Sequence, residues 1–337
     1  MSGTPKSNVH SNVHNLDAPR TAIARNAGID FEPDLFGRIR INRSAVERRA
    51  ATIGTRRSIK KKHQAAWLLK AVACIDLTTL AGDDTPGRVR RLCQKARRPI
   101  RADLLEALGV ADLGLTTGAV CVYHNFIEVA VEELRGSGIP VAAVSTGFPA
   151  GQIPLRLKLA QIEESVRAGA AEIDIVISRS KALRSDWRGL YEEVAAFRTA
   201  CGEAHLKAIL ATGELATLSN VAKASWVCMM AGADFIKTST GKESVNATLP
   251  YSLVMARAIR DYQELTGYRV GYKPAGGIGK AKDALNYLVL MKEELGREWL
   301  EPALFRFGAS SLLGDIERQL EHHLTGAYSA QHRHPTG

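Results

Sequence analysis

No stretch of the 337-residue chain approaches the 18 or so uninterrupted apolar residues that a spanning helix needs, and the opening MSGTPKSNVHSNVHNLDAPR lacks the apolar block of a secretory signal. Both absences predict a soluble, cytoplasmic protein with no membrane partner. Cysteine is sparse as well: Cys74, Cys93, Cys121, Cys201 and Cys228 are odd in number, scattered and without CxxC spacing. That excludes a disulfide framework and a zinc site and predicts free thiols. Acidic residues are scarce only at the front, where thirteen Lys and Arg face five Asp and Glu through Lys62. This leader carries +8 of the formal +10, so the rest is nearly neutral and needs no phosphate-backbone footprint. Nucleic acid is not expected as a partner.

What is present is a core: 45% of the residues are hydrophobic, enough for one large α/β domain or two ordinary ones. Residues 1–43 read as a mobile basic leader and 44–69 as a helical extension packing on the domain. The cluster at 56–62 reads as a solvated helix face; nuclear access or an acidic partner is its rival reading. From residue 70 to 325, short β-branched runs alternate with longer amphipathic ones. Eight strands are predicted, at 71–76, 118–124, 141–146, 172–177, 206–211, 234–239, 269–274 and 305–310. Helices between them have stop signals at Gly136, Gly138 and Gly267 and a start at Pro250. Residues 326–337 read as a flexible tail. Eight strand and helix pairs over about 255 residues predict a (β/α)8 TIM barrel; the rival, an open doubly wound sheet, lacks a GxGxxG after its first strand.

In a barrel, alternate side chains of each strand face the lumen. Phe235, Lys237 and Ser239 then point inward, as do Gly271 and Lys273, Lys207 and Ile209, Asp174 and Val176, Cys74 and Asp76, and Ala119, Cys121 and Tyr123. A single inward lysine is an ordinary structural ion pair with Asp174, Asp76 or Glu172. Three in phase on consecutive strands indicate a site. Two crowded, partly buried ammonium groups disfavour each other's charge, and a neutral amine attacks carbonyls. Schiff-base chemistry is therefore expected, with Asp174 moving protons directly or through water. The loops STGK (239–242), PAGGIG (274–279) and GASS (308–311) combine glycines, hydroxyls and a lysine where barrels hold phosphate. Metal catalysis finds little support, since only His124 and His205 fall on strands; Cys121 reads as a cavity-lining thiol.

The ordered motifs DLTTLAGDDT, AVCVY, GFPAGQ, EIDIVISR, ATGEL, DFIKTSTGK, GYKPAGGIG and FGASSLL resemble those of the deoxyribose-phosphate aldolase family in its longer, animal-type form, from about residue 45 to 325. The resemblance implies a class I aldolase that reversibly cleaves 2-deoxy-D-ribose 5-phosphate to acetaldehyde and D-glyceraldehyde 3-phosphate, without metal or organic cofactor. It implies that Lys237 forms the Schiff base, Lys273 tunes it and Asp174 relays protons. It also implies that Asp76, Cys121 and Lys207 share the pocket, that Thr240 binds substrate, and that Gly241, Lys242, Gly276, Gly277, Ser310 and Ser311 surround the substrate phosphate. Sugar phosphate and aldehydes are the implied partners; self-association into a homo-oligomer stays open. The chain departs from the family pattern at Gly279, where arginine is usual, at His124, where proline is usual, and in its C-terminal tail, whose nearest aromatic is Tyr328. The alternatives are another Schiff-base aldolase or transaldolase of sugar phosphates, or a scaffold whose basic leader engages acidic partners.

Overall fold

The structure, a computed structural model, describes residues 24–56, 59–330 and 333–334. Its strands are β1 (Ile75–Thr78), β2 (Ala119–Val122), β3 (Val141–Ser145), β4 (Glu172–Val176), β5 (His205–Ile209), β6 (Phe235–Lys237), β7 (Gly271–Lys273) and β8 (Phe307–Ala309). All pair in parallel in the order β7-β6-β5-β4-β3-β2-β1-β8. Bridges from Tyr272 to Phe305 and from Ala275 to Gly308 close the circle between the first and last strands of that order. The expected TIM barrel is thus the fold. Ile173, Ile175, Leu206, Ala208, Ile236 and Tyr272 face the surrounding helices as part of the main core, while Cys121, Ala142 and Val144 form a separate small cluster inside. This is the period-two alternation of strands that are buried on both faces.

Local chemistry sets the helix boundaries. Thr85, Thr217 and Thr248 each accept a backbone N–H three residues on, and Pro86 and Pro250 stand in first turns where no N–H is missed. The helix Leu249–Thr266 ends at Gly267 in the left-handed conformation, as its stop signal predicts.

The first predicted strand begins too early. Residues 71–73 complete the helix Lys61–Ala73, and β1 starts only at Ile75. The run Ala71-Val72-Ala73 is apolar without alternation, and alanine favours a helix that buries this face. Cys74, expected in the lumen, caps that helix and joins the main core. The single extension expected at 44–69 is two helices, Arg43–Arg56 and Lys61–Ala73, with residues 57 and 58 of the basic cluster outside the described residues. The boundary expected at 43/44 marks no break in packing. Asn26, 2% exposed, donates to the carbonyls of Met229 and Ala233, and a helix at Pro33–Arg38 buries Phe36. The leader up to residue 23 lies outside the described residues.

Candidate active site

Register brings the lysines together. Lys237 on β6 is paired with Lys273 on β7, and Asp174 on β4 with Lys207 on β5. Room for them comes from missing side chains. A Cβ on Gly271 would stand 2.4 Å from the Phe235 ring, and one on Gly308 would stand 3.3 Å from Cε of Lys273.

Asp174 Oδ2 accepts from both catalytic candidates, Lys237 Nζ at 2.7 Å and Lys273 Nζ at 2.8 Å. The two nitrogens therefore stand within two hydrogen-bond lengths of each other. Lys273 Nζ also reaches Asp76 Oδ2 at 2.6 Å. Lys207 donates to Asp76 Oδ2 at 2.9 Å and to Glu172, and lies 3.8 Å from Asp174 Oδ1. That is the structural ion-pair role weighed for each lysine; for Lys207 it describes its hydrogen bonds and ion pairs among the described residues. Among the described residues, Asp174 Oδ1 accepts no hydrogen bond from the protein.

The two neighbouring lysines differ in their carboxylates. Lys237 has one, Lys273 two. Burial, the largest influence, drives the Lys237 pKa below its ordinary 10.5; Asp174 opposes the shift and Lys273 adds to it. Burial also acts on Lys273, but Asp174 and Asp76 overcome it and raise its pKa. The expected depression of one lysine is thus present, with desolvation ahead of lysine–lysine repulsion as its cause. Asp174 resists protonation: burial would raise its pKa, but Lys237 and Lys273 hold it well below the usual carboxylate range. Burial raises the Cys121 thiol pKa, which suits a neutral wall residue and not a nucleophile. Of the three lysines only Lys237 keeps exposed surface, at 3% against 0% for Lys207 and Lys273.

The loops after β6, β7 and β8 meet at the mouth. A Cβ on Gly241 would lie 3.9 Å from Gly276 Cα, one on Gly276 would lie 2.6 Å from Asn246, and one on Gly279 would lie 3.2 Å from Ser311 Oγ. Gly276 has φ +80°, which favours glycine. Gly241, Lys242, Gly277, Ser310 and Ser311 are exposed there, whereas Thr240 is buried. The helix Ser311–Thr325 opens on this rim with no side-chain cap, leaving its first N–H groups to a ligand or water. The Ser239 hydroxyl, on the inward face one step above Lys237, is buried without a protein partner among the described residues.

Three charged residues escaped the sequence reading or were undervalued by it. Arg306, just before β8, places Nη1 2.5 Å from Asp76 Oδ1 and Nη2 2.8 Å from Glu172 Oε1. Its signal was available: it alternates with Phe305 and Phe307, whose rings belong to the outer core. Glu172, considered only as an ion-pair partner, holds both Lys207 and Arg306. Glu243 accepts from the amides of Thr240 and Gly241 at 3.1 Å, so the chain's own carboxylate occupies part of the turn expected to bind phosphate. No local pattern marks it. His124 lies on a short turn after β2 with Nδ1 2.9 Å from Ser165 Oγ, off the strand on which it was expected.

Residues 70–315 match the model of the DeoC/LacD family aldolases. The chain is 59% identical to deoxyribose-phosphate aldolase of Homo sapiens over 314 residues, covering 93% of this chain and 99% of that one. It is 60% identical to deoxyribose-phosphate aldolase of Mus musculus, covering 91% and 98%. Among solved structures, the tetrameric deoxyribose phosphate aldolase of Aeropyrum pernix aligns with a TM-score of 0.57 at 21% identity, over 83% of this chain and 99% of that one, a likeness of fold.

Proposed function

The chain belongs to the DeoC/LacD family of aldolases, and from this premise we propose that it cleaves 2-deoxy-D-ribose 5-phosphate reversibly through an imine on Lys237. The enzyme is an aldolase of deoxyribose phosphate, in keeping with its relatives of about 60% identity. The observation that carries the mechanism is the inequality of two adjacent lysines: Lys237 has one carboxylate and a lowered pKa, Lys273 two and a raised one.

Neutral Lys237 adds to C1 of the open-chain aldehyde, and loss of water gives the imine. In its protonated form the imine draws electrons as the C2–C3 bond breaks. The C3 hydroxyl proton leaves toward Asp174, directly or through water, and C3 becomes the aldehyde carbon of glyceraldehyde 3-phosphate. The enamine left behind is protonated at C2, and water releases acetaldehyde and free Lys237. Lys273, kept cationic, stabilises charged Asp174 and supplies a proton donor within the same hydrogen-bonded set. The rim formed by Gly241, Lys242, Gly276, Gly277, Ser310 and Ser311 suits the 5-phosphate, where exposed lysine and helix N–H groups meet.

Incubation with acetaldehyde and borohydride, followed by peptide mass analysis, tests this reading. An ethyl adduct on Lys237 is expected, with cleavage of the sugar phosphate undiminished by EDTA. An adduct confined to another lysine would falsify the assignment.

A further inference from the structure

The enclosed charges of the barrel do not match in number. Arg306, Lys207, Lys237 and Lys273 are four cations, and Asp76, Glu172 and Asp174 three carboxylates, all between 0% and 5% exposed. Contacts link them into one set. Arg306 bonds Asp76 and Glu172; Asp76 and Asp174 share Lys273; Asp174 reaches Lys237. In a dry interior an unmatched charge is costly, and one proton is the least that can leave. Arginine cannot release it. Lys207 and Lys273 each stand beside two hydrogen-bonding carboxylates, whereas Lys237 hydrogen-bonds only one.

We propose that Arg306 is a positioning residue for the reactive amine: by engaging Asp76 and Glu172 from the position just before the last strand, it leaves the enclosed set one cation in excess, and the excess proton departs from Lys237. This rests on the imine reading given above. The groups facing Lys237 support it: Asp174 from β4, Lys273 from β7 and the Cys121 thiol, its pKa raised by burial, from β2; β3 presents the uncharged Ala142 and Val144. Arg306 itself faces Asp76, Glu172 and, more remotely, Cys74. At the rim Lys242 and Glu243 add charge, with Arg179 4.0 Å from Glu243, and buried Asp84 lies toward Tyr123.

Four full-length variants test the inference, each read by the pH at which cyanoborohydride trapping of acetaldehyde on Lys237 reaches half its plateau. Arg306→Met leaves three cations for three carboxylates, so the acid limb moves up by about one pH unit. Glu172→Gln leaves two cations in excess and moves it down by a similar amount. The double variant restores an excess of one and returns the limb to that of the wild type, as does Arg306→Lys. A merely structural role would lower the yield of every variant without opposite shifts. Single variants that move the limb in the same direction, or not at all, overturn the inference. If Arg306→Met does not fold, the contrast between Glu172→Gln and the double variant decides in the same way. Wild-type protein that traps nothing at Lys237 sinks the imine reading and this inference with it; trapping at Lys237 with an unmoved limb sinks the inference alone.

Discussion

In the barrel interior Asp76 holds three cationic side chains and Glu172 two, and Lys207 and Lys273 are fully buried between carboxylates. Around the mouth, Gly277, Ser310, Ser311 and Lys242 are exposed, and the helix that starts at Ser311 has no side-chain cap. The interior supplies its own counter-charges because these groups are buried and unpaired charges are expensive there. The mouth leaves donors open, which costs little where water can serve them until an anion arrives. Lys237 lies at the border between the two regimes. Of the interior lysines it is the one with surface to meet a carbonyl and with only one hydrogen-bonded carboxylate to hold its proton.

The contrast breaks most visibly at that border. Lys237→Leu should lower kcat by about 10⁴-fold or more while phosphate still binds at the mouth, as steady-state assays with inorganic phosphate as inhibitor would reveal. In the wild type, trapping should rise with pH through a midpoint below 10.5, because the reactive form is the deprotonated one and its pKa is lowered.

Next in size is an interior change away from the chemistry. Lys207→Met strands part of Asp76 and Glu172 in a dry site and should cost about 3–5 kcal/mol of stability, measured by urea unfolding. An undiminished unfolding midpoint would mean that the interior tolerates carboxylates stripped of a hydrogen-bonding partner and that the contrast is false.

Changes at the mouth should be milder and should act on substrate affinity. Gly276→Ala forces a side chain into the left-handed region and against Asn246. Its KM for the 5-phosphate should rise about tenfold, with little change for unphosphorylated deoxyribose. Smallest of all, Glu243→Gln removes a carboxylate from the amides of Thr240 and Gly241, and the inhibition constant of inorganic phosphate should fall about threefold. A weaker phosphate would show instead that Glu243 builds the anion site by ordering the turn.

The period-two pattern of the strands was readable in the chain, so Lys237, Lys273, Lys207, Asp174 and Asp76 were assignable to one lumen before any coordinates. Cys74 was misassigned because the strand was taken to begin within a helix, and the alternation was then carried one residue too far back. Arg306 was missed although its strand was found, because the inward face of that strand was not read. Glu243 had no such signal. Its role comes from a turn that folds its side chain back onto two amides.

The sequence by itself determined the barrel, the inward lysines and the glycines of the mouth, since these follow from spacing along single strands and turns. Which lysine has its pKa lowered and which has it raised was decided only by the tertiary structure. The energy of a charge depends on every other charge within a few ångströms, and here those come from β1, β4, β5, β7 and the residue preceding β8, brought together only when the barrel closes.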